Sequence, residues 1–315
     1  NLSTGPLSLS VRRDRGNFLD ELTVNGVPVV QPGHDGGPYF VDDQGQRFRA
    51  ALDSAPEVEV ELAGPLRSVI TVRGWYVGPA GERKCRFITR LHAFAGQPFV
   101  RVFYTWIMTE DSRTLRFRDI GLRLPLPAQS CSFALDDGSA VSFPVTQNLG
   151  ADLVQYDFDK FLLRPGQPRE GGPQPLGVMA TDTAATTVAL AVRDFRQLFP
   201  KELSSDAEGI TFHVWPAHGL AQPDRPVTDA MLQYLWFCHE GEVLDFQVPE
   251  SYYTHSEQYS EYEYRYVRSS QYANAMGISK THELLLAFGS QLDAARVAAV
   301  TEVFQDPPEC LAAPQ

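Results

Sequence analysis

The stretch EYEYRYVRSSQYANAMGISKTHELLLAF, residues 261–288, contains two strand patterns joined by a polar connection with one glycine. Tyrosines alternate with charged residues from Tyr262 to Tyr266. Because side chains alternate between the two faces of a strand, this pattern predicts one aromatic face and one charged face. The second segment, residues 281–288, predicts a strand that enters the core and carries His282 near its start. Such side chains suit a sugar-binding cleft, and they equally suit an ordinary solvated sheet face.

The rest of the chain repeats this strand pattern in short segments. Apolar and polar residues alternate over 7–11, 57–62 and 84–94, with turn residues between the segments. Asn25 and Gly26 form a dipeptide that is typical of a tight hairpin. Many short strands at close spacing predict an all-β fold, specifically a large antiparallel β-sandwich of the supersandwich-like kind.

The C-terminal region has a different pattern. Residues 293–304, DAARVAAVTEVF, combine alanines with apolar residues at helical spacing, and two prolines follow at 307 and 308. This pattern predicts one short C-terminal helix. We therefore expect a β-sandwich domain over 1–290, followed by a helix and tail over 291–315 that could begin a helical domain.

Charge and composition exclude some classes of function. The chain has 315 residues and a net charge of −12, which argues against a nucleic-acid partner and against an anionic membrane surface. No apolar run approaches the length of a membrane span. A local basic cleft on an acidic protein is still compatible with an acidic polysaccharide as the partner.

The cysteines and acidic residues show no metal-binding spacing. Cys85, Cys131, Cys238 and Cys310 are far apart in the sequence and form no CxxC pair. Their even number permits one or two disulfides in a secreted protein, and small buried thiols are the alternative. No calcium-loop, nucleotide-binding or hydrolase motif occurs, so we predict no cofactor; a calcium site is possible but no motif indicates one.

One strand end carries a candidate sugar platform. The segment ITFHVW ends at Trp215, with His213 before it and His218 shortly after it. An indole can stack on a pyranose face, and an imidazole can serve as a base or neutralise an acid. The alternative is a core tryptophan with His213 hydrogen-bonded beside it.

Basic residues gather in two segments. Arg118 and Arg123 accompany Asp119 in the segment 114–126, and arginines near strands can line a carboxylate-binding groove through bidentate contacts. Arg196 and Lys201 form a second basic patch. A solvated sheet face is the alternative interpretation of the first group.

Six segments resemble one known family over nearly the whole chain. They are NLSTGPL at 1–7, PFVRVF at 98–103, FRDIGLRLP at 117–125, VRDFRQLFPKEL at 192–203, HVWPAHG at 213–219 and GISKTHEL at 277–284. Together they look like the central β-sandwich of the exo-rhamnogalacturonan lyase-like family. Each segment is short, and their number and order carry the resemblance.

The resemblance implies a carbohydrate-active lyase that cleaves a uronate-containing polysaccharide, such as rhamnogalacturonan, by β-elimination. A cation neutralises the uronate carboxylate, a base removes the proton at C5, and an acid protonates the leaving oxygen. The residues that this mechanism suggests are Arg118, Arg196 or Lys201 as the cation, His213 or His218 as the base, and Tyr253, Tyr264 or His282 as the acid, with Trp215 as the stacking surface.

Three hypotheses follow for the function. The first is a polysaccharide lyase, and the second is a non-catalytic carbohydrate-binding or structural module of a larger lyase. The second arises because such enzymes generally carry a small β-barrel before this domain and a helical toroid after it, and this chain has neither. The third is a β-sandwich that only mediates contacts within a larger protein. Polysaccharide chemistry, together with the absence of an initiating methionine, implies a secreted or periplasmic location.

Overall fold

The computed structural model describes residues 1–112, 114–165, 168–216, 238–239, 243–244, 275–289, 292, 297 and 304–305. The strands up to the middle of the chain are β1 (Leu2–Ser3), β2 (Leu7–Ser10), β3 (Glu21–Val24), β4 (Val27–Val30), β5 (Gly37–Asp42), β6 (Arg47–Arg49), β7 (Glu57–Ala63), β8 (Arg67–Val77), β9 (Arg83–Phe94), β10 (Phe99–Ile107), β11 (Phe117–Pro125) and β12 (Ala128–Leu135). The later strands are β13 (Ala140–Pro144), β14 (Ala151–Asp157), β15 (Lys160–Arg164), β16 (Pro168–Glu170), β17 (Pro175–Thr183), β18 (Thr187–Val192), β19 (Lys201–Asp206), β20 (Gly209–Trp215), β21 (Cys238–His239), β22 (Val243–Leu244) and β23 (Ser279–Gly289). A 3₁₀ turn over Ala50–Leu52 follows β6.

The strands pair antiparallel in two long runs, one small sheet and a short β21–β22 hairpin that pairs with β11. The first run has the order β7-β8-β9-β10-β23-β18-β17-β12-β13. The second run has the order β16-β15-β14-β19-β20-β11-β5-β6. A single pairing of β6 with β8 joins the two runs, and β1 to β4 form a separate four-stranded sheet. The predicted all-β, antiparallel sandwich is thereby confirmed.

The main core lies between the two runs. Leu284 and Leu286 of β23 belong to it, together with Phe212 of β20 and Leu122 of β11. Aromatic rings fill its centre: Phe40 stacks on Phe48 with ring centroids 4.6 Å apart. Because side chains alternate along each strand, the residues between these core positions on the second run point to its opposite side, which we call the outer face.

The hairpin predicted at Asn25 and Gly26 is confirmed. These two residues connect β3 to β4, and they have φ angles of 50° and 80°. Both positions are in the left-handed region, which a type I′ turn requires and which asparagine and glycine tolerate best. The turn fixes the register of this edge hairpin.

The predicted helix over 293–304 is not shown, because most of that segment lies outside the described residues. Within it, Val297 and Phe304 are buried against alanines of β17 and β18, on the side of the first run away from the main core. Cys85 and Cys131 are free buried thiols, so neither forms the disulfide that an even cysteine count permits.

Phe40→Ala is expected to lower the free energy of unfolding by about 3–5 kcal/mol, because the lost ring leaves a cavity among packed aromatic side chains. Phe40 is fully buried, and its ring contacts Tyr76 and Phe117 edge-on at 5.2 Å. Urea unfolding measures the change. Val27→Ala removes an exposed side chain as the control and should shift stability by less than about 0.5 kcal/mol. Equal midpoints for the two variants would contradict this account of the core.

Candidate functional site

A polar network lies on the outer face of the second run. Its central residues are Tyr39 on β5, Asp119 on β11 and His213 on β20. In each strand the neighbouring position is apolar and faces the core, as Phe40, Ile120 and Phe212 do. Strand alternation therefore places the three polar side chains together on one face.

Gly121 makes the close approach of these residues possible. It lies directly between Tyr39 on one neighbouring strand and His213 on the other. A Cβ atom at this position would meet the Tyr39 hydroxyl at 2.7 Å and its ring at 2.8 Å. The tyrosine ring thus crosses the strand at the one position that has no side chain, as glycines within strands often allow.

Hydrogen bonds fix the orientation of all three groups. The Tyr39 hydroxyl donates to Asp119 Oδ2 at 2.8 Å, and His213 Nδ1 lies 2.9 Å from Asp119 Oδ1. Ser204 Oγ of β19 lies 2.9 Å from His213 Nε2. Because a carboxylate only accepts hydrogen bonds, Nδ1 carries a proton towards Asp119, which leaves Nε2 facing the Ser204 hydroxyl.

A second set of charges continues the network beneath His213. Glu202 Oε1 lies 3.9 Å from His213 Nε2 and 3.8 Å from an Arg164 nitrogen. Arg164 Nε also donates to Asp152 at 2.6 Å. Glu202 is fully buried. A buried carboxylate is costly without nearby positive charge or hydrogen-bond donors, so Arg164 and His213 compensate for the burial of Glu202.

A cleft of about 260 Å³ adjoins this network and is rich in guanidinium groups. Its lining includes His34, Asp35, Arg47, Arg49, Arg123 and Glu208. Three arginines therefore face one cleft together with two carboxylates, on a chain whose net charge is −12.

The three arginines of the cleft differ in their ion pairs. Arg49 pairs with Asp35 at 2.6 Å, and Arg123 binds both oxygens of Asp206. Arg47 makes no ion pair with any described residue, and its guanidinium lies 4.1 Å from the centre of the Tyr39 ring. Arg47 therefore connects the cleft to the polar network, and its charge is available for an anion.

The environment of Tyr39 keeps its phenol protonated. Burial, followed by the negative charge of Asp119, raises the pKa of Tyr39 well above its ordinary value. Both effects disfavour the phenolate, and the hydrogen bond to Asp119 uses the phenol proton. In this site Tyr39 begins as a proton donor.

Lys201 and His282, two residues singled out from the sequence, lie between the two runs and away from the cleft. The Lys201 amine donates to the carbonyls of Pro200 and Val214, both at 2.9 Å. The His282 ring packs edge-on against Phe212 at 5.4 Å, and it is only 1% exposed. Both side chains are buried on the core side of their strands.

Burial changes the acidity of both groups. It lowers the pKa of Lys201 to about 7, and the charge of Lys280 adds to the effect. Burial, then Lys201 and Lys280, lowers the pKa of His282 well below its ordinary value. Neither ring nitrogen of His282 has a hydrogen-bond partner among the described residues. Near neutral pH the His282 ring is therefore neutral, and Lys201 holds only part of the charge of an ordinary lysine.

The other residues predicted from the sequence are dispersed. Arg118 is exposed and donates to the Asp43 carbonyl, whereas Arg196 lies over the Phe158 ring and pairs with Asp136 at 3.5 Å. Trp215 is buried in the core, so in this structure its indole face is not open to a sugar. Three predicted residues, His218, Tyr253 and Tyr264, lie outside the described residues.

Among the predicted catalytic residues that the structure describes, His213 is the one that belongs to the polar network. Of the two arginines predicted to line a carboxylate-binding groove in the segment 114–126, Arg123 lines the cleft and Arg118 does not. Sequence reasoning missed Tyr39, Arg47 and Arg49. The glycine inside the FRDIGLRLP strand was an available signal, because a glycine in a strand often marks a close approach of another side chain. The alternation of Arg47, Phe48 and Arg49 also indicates two arginines on one face.

Two further features of the described residues can be stated. No group of three or more histidine, cysteine, aspartate or glutamate side chains among them is arranged to hold a metal ion. Within the same residues, no helix is long and apolar enough to cross a membrane.

A two-layer antiparallel β-sandwich with a polar network and a basic cleft on one outer face is the class of domain that these observations define. Residues 1–134 match the family model of the PcRGLX-like protein central beta sandwich domain. This match confirms the predicted resemblance to the exo-rhamnogalacturonan lyase-like family. The matched region contains Tyr39, Asp119 and all three arginines of the cleft.

Comparison with other proteins gives distant similarities of fold. No curated protein matches the chain. The Slr1438 protein from Synechocystis sp. PCC 6803 is 11% identical with a TM-score of 0.43, covering 91% of this chain and 93% of its own. A putative aldose 1-epimerase from Escherichia coli K12 is 13% identical with a TM-score of 0.40, covering 92% and 98%. The α-N-acetylgalactosaminidase NagBb from Bifidobacterium bifidum is 10% identical with a TM-score of 0.49, covering 97% of this chain and 39% of its own.

Lys201→Met is expected to flatten the dependence of stability on pH. Between about pH 7 and 10.5 the amine is neutral when folded and protonated when unfolded. The unfolded state then binds more protons, so this group makes the free energy of unfolding rise with pH in that window. Urea unfolding from pH 7 to about pH 10 should show the wild type gaining stability relative to Lys201→Met.

His282 titrates below this window and does not contribute to the difference. Lys84→Met removes a half-exposed lysine of β9 and should give a curve parallel to that of the wild type. Parallel curves for Lys201→Met and the wild type would show that the Lys201 amine keeps its ordinary acidity.

Proposed function

We propose that this β-sandwich belongs to a carbohydrate-active protein that binds a uronate-containing polysaccharide, such as rhamnogalacturonan, in the cleft beside Arg47. The proposed reaction is β-elimination, as the family resemblance implies. The observation that carries this proposal is the Arg47 guanidinium, which faces the cleft without an ion pair among the described residues. An acidic polysaccharide as partner and a secreted or periplasmic location are parts of the same proposal.

The charges of the cleft support binding of a carboxylate. A planar guanidinium can hold a carboxylate through two parallel hydrogen bonds, which sets the orientation of the sugar as well as the affinity. Arg49 and Arg123 are each paired with an aspartate, so their charges are largely balanced and their side chains stay fixed. A uronate at Arg47 would have its charge neutralised, and neutralisation makes the C5 proton easier to remove.

Tyr39 is our candidate for the acid in this reaction. Its ring lies against the Arg47 guanidinium, so a sugar bound by Arg47 would lie near its hydroxyl. Its raised pKa keeps the proton on the phenol until a more basic alkoxide leaves. Asp119 and His213 orient the Tyr39 hydroxyl, which has to turn its proton from Asp119 to the leaving oxygen when it acts as the acid.

The base and the remaining roles are still predictions from the sequence. His213 and His218 are candidates for the base, and Tyr253, Tyr264 and His282 are further candidates for the acid. Because His213 is 1% exposed and is hydrogen-bonded to Asp119, in the elimination we assign it first to the network that orients Tyr39. Lys201, Arg118, Arg196 and Trp215 remain predicted sugar contacts without a place in the cleft.

A second candidate function is a non-catalytic carbohydrate-binding module of a larger lyase. The burial of His213 and Asp119 favours it, because a buried, hydrogen-bonded network is also a stable scaffold. Such a module would bind the polymer through the same arginines and release no product.

Arg47→Ala is expected to weaken binding of rhamnogalacturonan oligosaccharides by about 10-fold or more, because a hydrogen bond to a charged group contributes about 1.5–3 kcal/mol. Isothermal titration calorimetry measures the dissociation constant, and added salt should weaken binding by the wild type more than by the variant. Arg67→Ala removes an exposed arginine of β8 that does not line the cleft, and it should leave the affinity unchanged. Equal affinities for the wild type and Arg47→Ala would remove the cleft from the proposal.

Tyr39→Phe is expected to lower kcat for release of unsaturated uronate by about 100-fold or more, because general acid catalysis contributes roughly 10²–10⁴-fold. The variant keeps the ring beneath Arg47, so binding of the oligosaccharide should change little. Ultraviolet absorbance of the unsaturated product measures the rate. Product formation by the wild type that survives in Tyr39→Phe would assign the acid to another residue, whereas binding without product would favour the binding module.

A further inference from the structure

Ser204, His213 and Asp119 have the geometry of a nucleophile, a base and an orienting carboxylate. Ser204 Oγ lies 2.9 Å from His213 Nε2, and His213 Nδ1 lies 2.9 Å from Asp119 Oδ1. These distances are within the hydrogen-bond range that activates a serine through an adjacent imidazole. Such a constellation is recognised by its geometry and not by the order of its residues in the chain.

The hydrogen bonds around His213 also suit activation of a serine hydroxyl by an imidazole. The Asp119 carboxylate accepts from Nδ1, so the lone pair of Nε2 points towards the Ser204 hydroxyl. Tyr39 donates to the other oxygen of Asp119 and so holds that carboxylate in place. Glu202 lies 3.9 Å from Nε2 and favours the positive imidazolium that forms when the base takes a proton.

The guanidinium of Arg123 is a positive group on the same face as Ser204 that could stabilise an oxyanion. Ser204 on β19 is paired with Thr211 on β20, and Arg123 Nη1 donates to Thr211 Oγ1 at 3.1 Å. Thr211 is also paired with Arg123 across β20 and β11. Arg123 therefore lies two strands from the serine, on the same face, and its guanidinium reaches back to Thr211 on the strand between them and lines the cleft. Charge that develops on a carbonyl oxygen at Ser204 would be stabilised by this guanidinium.

We propose that Ser204 is the nucleophile of an ester-hydrolysing site, with His213 as its general base and Arg123 as the oxyanion partner. Asp119 and Tyr39 are positioning residues for His213. The substrate class is an ester of a small carboxylic acid with an alcohol, because Ser204 is half-buried and the neighbouring cleft is about 260 Å³. This activity goes beyond the binding and β-elimination proposed above and does not depend on them.

The reaction balances with water as its only co-substrate. Ser204 Oγ attacks the ester carbonyl while its proton passes to His213 Nε2, and the tetrahedral intermediate then expels the alkoxide, which leaves as the alcohol with that proton. Water attacks the resulting acyl-serine and gives its proton to His213. Collapse of the second intermediate releases the carboxylic acid, returns the proton to Ser204 and restores the resting site.

The test uses 4-nitrophenyl acetate and a fluorophosphonate probe, neither of which contains a sugar. The wild type should hydrolyse the ester, and Ser204→Ala should reduce the rate by about 100-fold or more, as loss of an activated nucleophile does. Ser132→Ala, which removes a half-buried serine of β12, is the matched control and should retain the full rate. Unchanged urea midpoints establish that both variants fold.

Labelling of the wild type keeps the test decisive if a variant fails to fold. Peptide mapping should find the phosphonate on Ser204, and His213→Gln should abolish the label while the serine is still present. Equal ester hydrolysis by the wild type and Ser204→Ala would overturn the proposal. The same conclusion would follow if the probe modified a different residue or none at all.

Discussion

The carboxylate of Asp119 holds together three strands that are far apart in the sequence. It accepts from Tyr39 across 80 residues and from His213 across 94 residues, both on the outer face of the second run. A buried carboxylate with an unsatisfied oxygen costs several kilocalories per mole, so both partners have to be in place when the sheet closes. The register of β5, β11 and β20 therefore fixes the site, and the site in turn penalises any shift of that register.

The fold was predictable because its signals are local. Alternation of apolar and polar residues identifies a strand within a few positions, and Asn25 with Gly26 specifies a turn by backbone conformation alone. The number of such segments leaves a sandwich as the simplest arrangement. The family model that matches residues 1–134 also describes a β-sandwich domain.

The candidate site was only partly predictable, because it depends on which strands become neighbours. His213 was identified from its residue type, yet nothing near it in the sequence points to Asp119 or Tyr39 as its partners. Lys201 illustrates the opposite error. Its charged neighbours in the sequence suggest a surface patch, whereas pairing of β19 with β20 turns the amine inward to the Val214 carbonyl. Which face a residue occupies at the end of a strand is decided by pairing and bulges, which a single sequence does not reveal.

The outer face is organised in a way that stability alone does not explain. Replacing a buried ionic network with apolar side chains of similar volume is often neutral or stabilising, so networks such as the one around Glu202 and His213 are weak evidence of a structural role. The arginines of the cleft also point away from a purely structural role. On a chain with a net charge of −12, Arg47 lies beside Tyr39 without an ion pair among the described residues, whereas its cleft neighbour Arg49 pairs with Asp35. A guanidinium without an ion pair among the described residues, next to a protonated phenol and an imidazole–carboxylate pair, is the feature on which the proposed recognition of an anionic substrate rests.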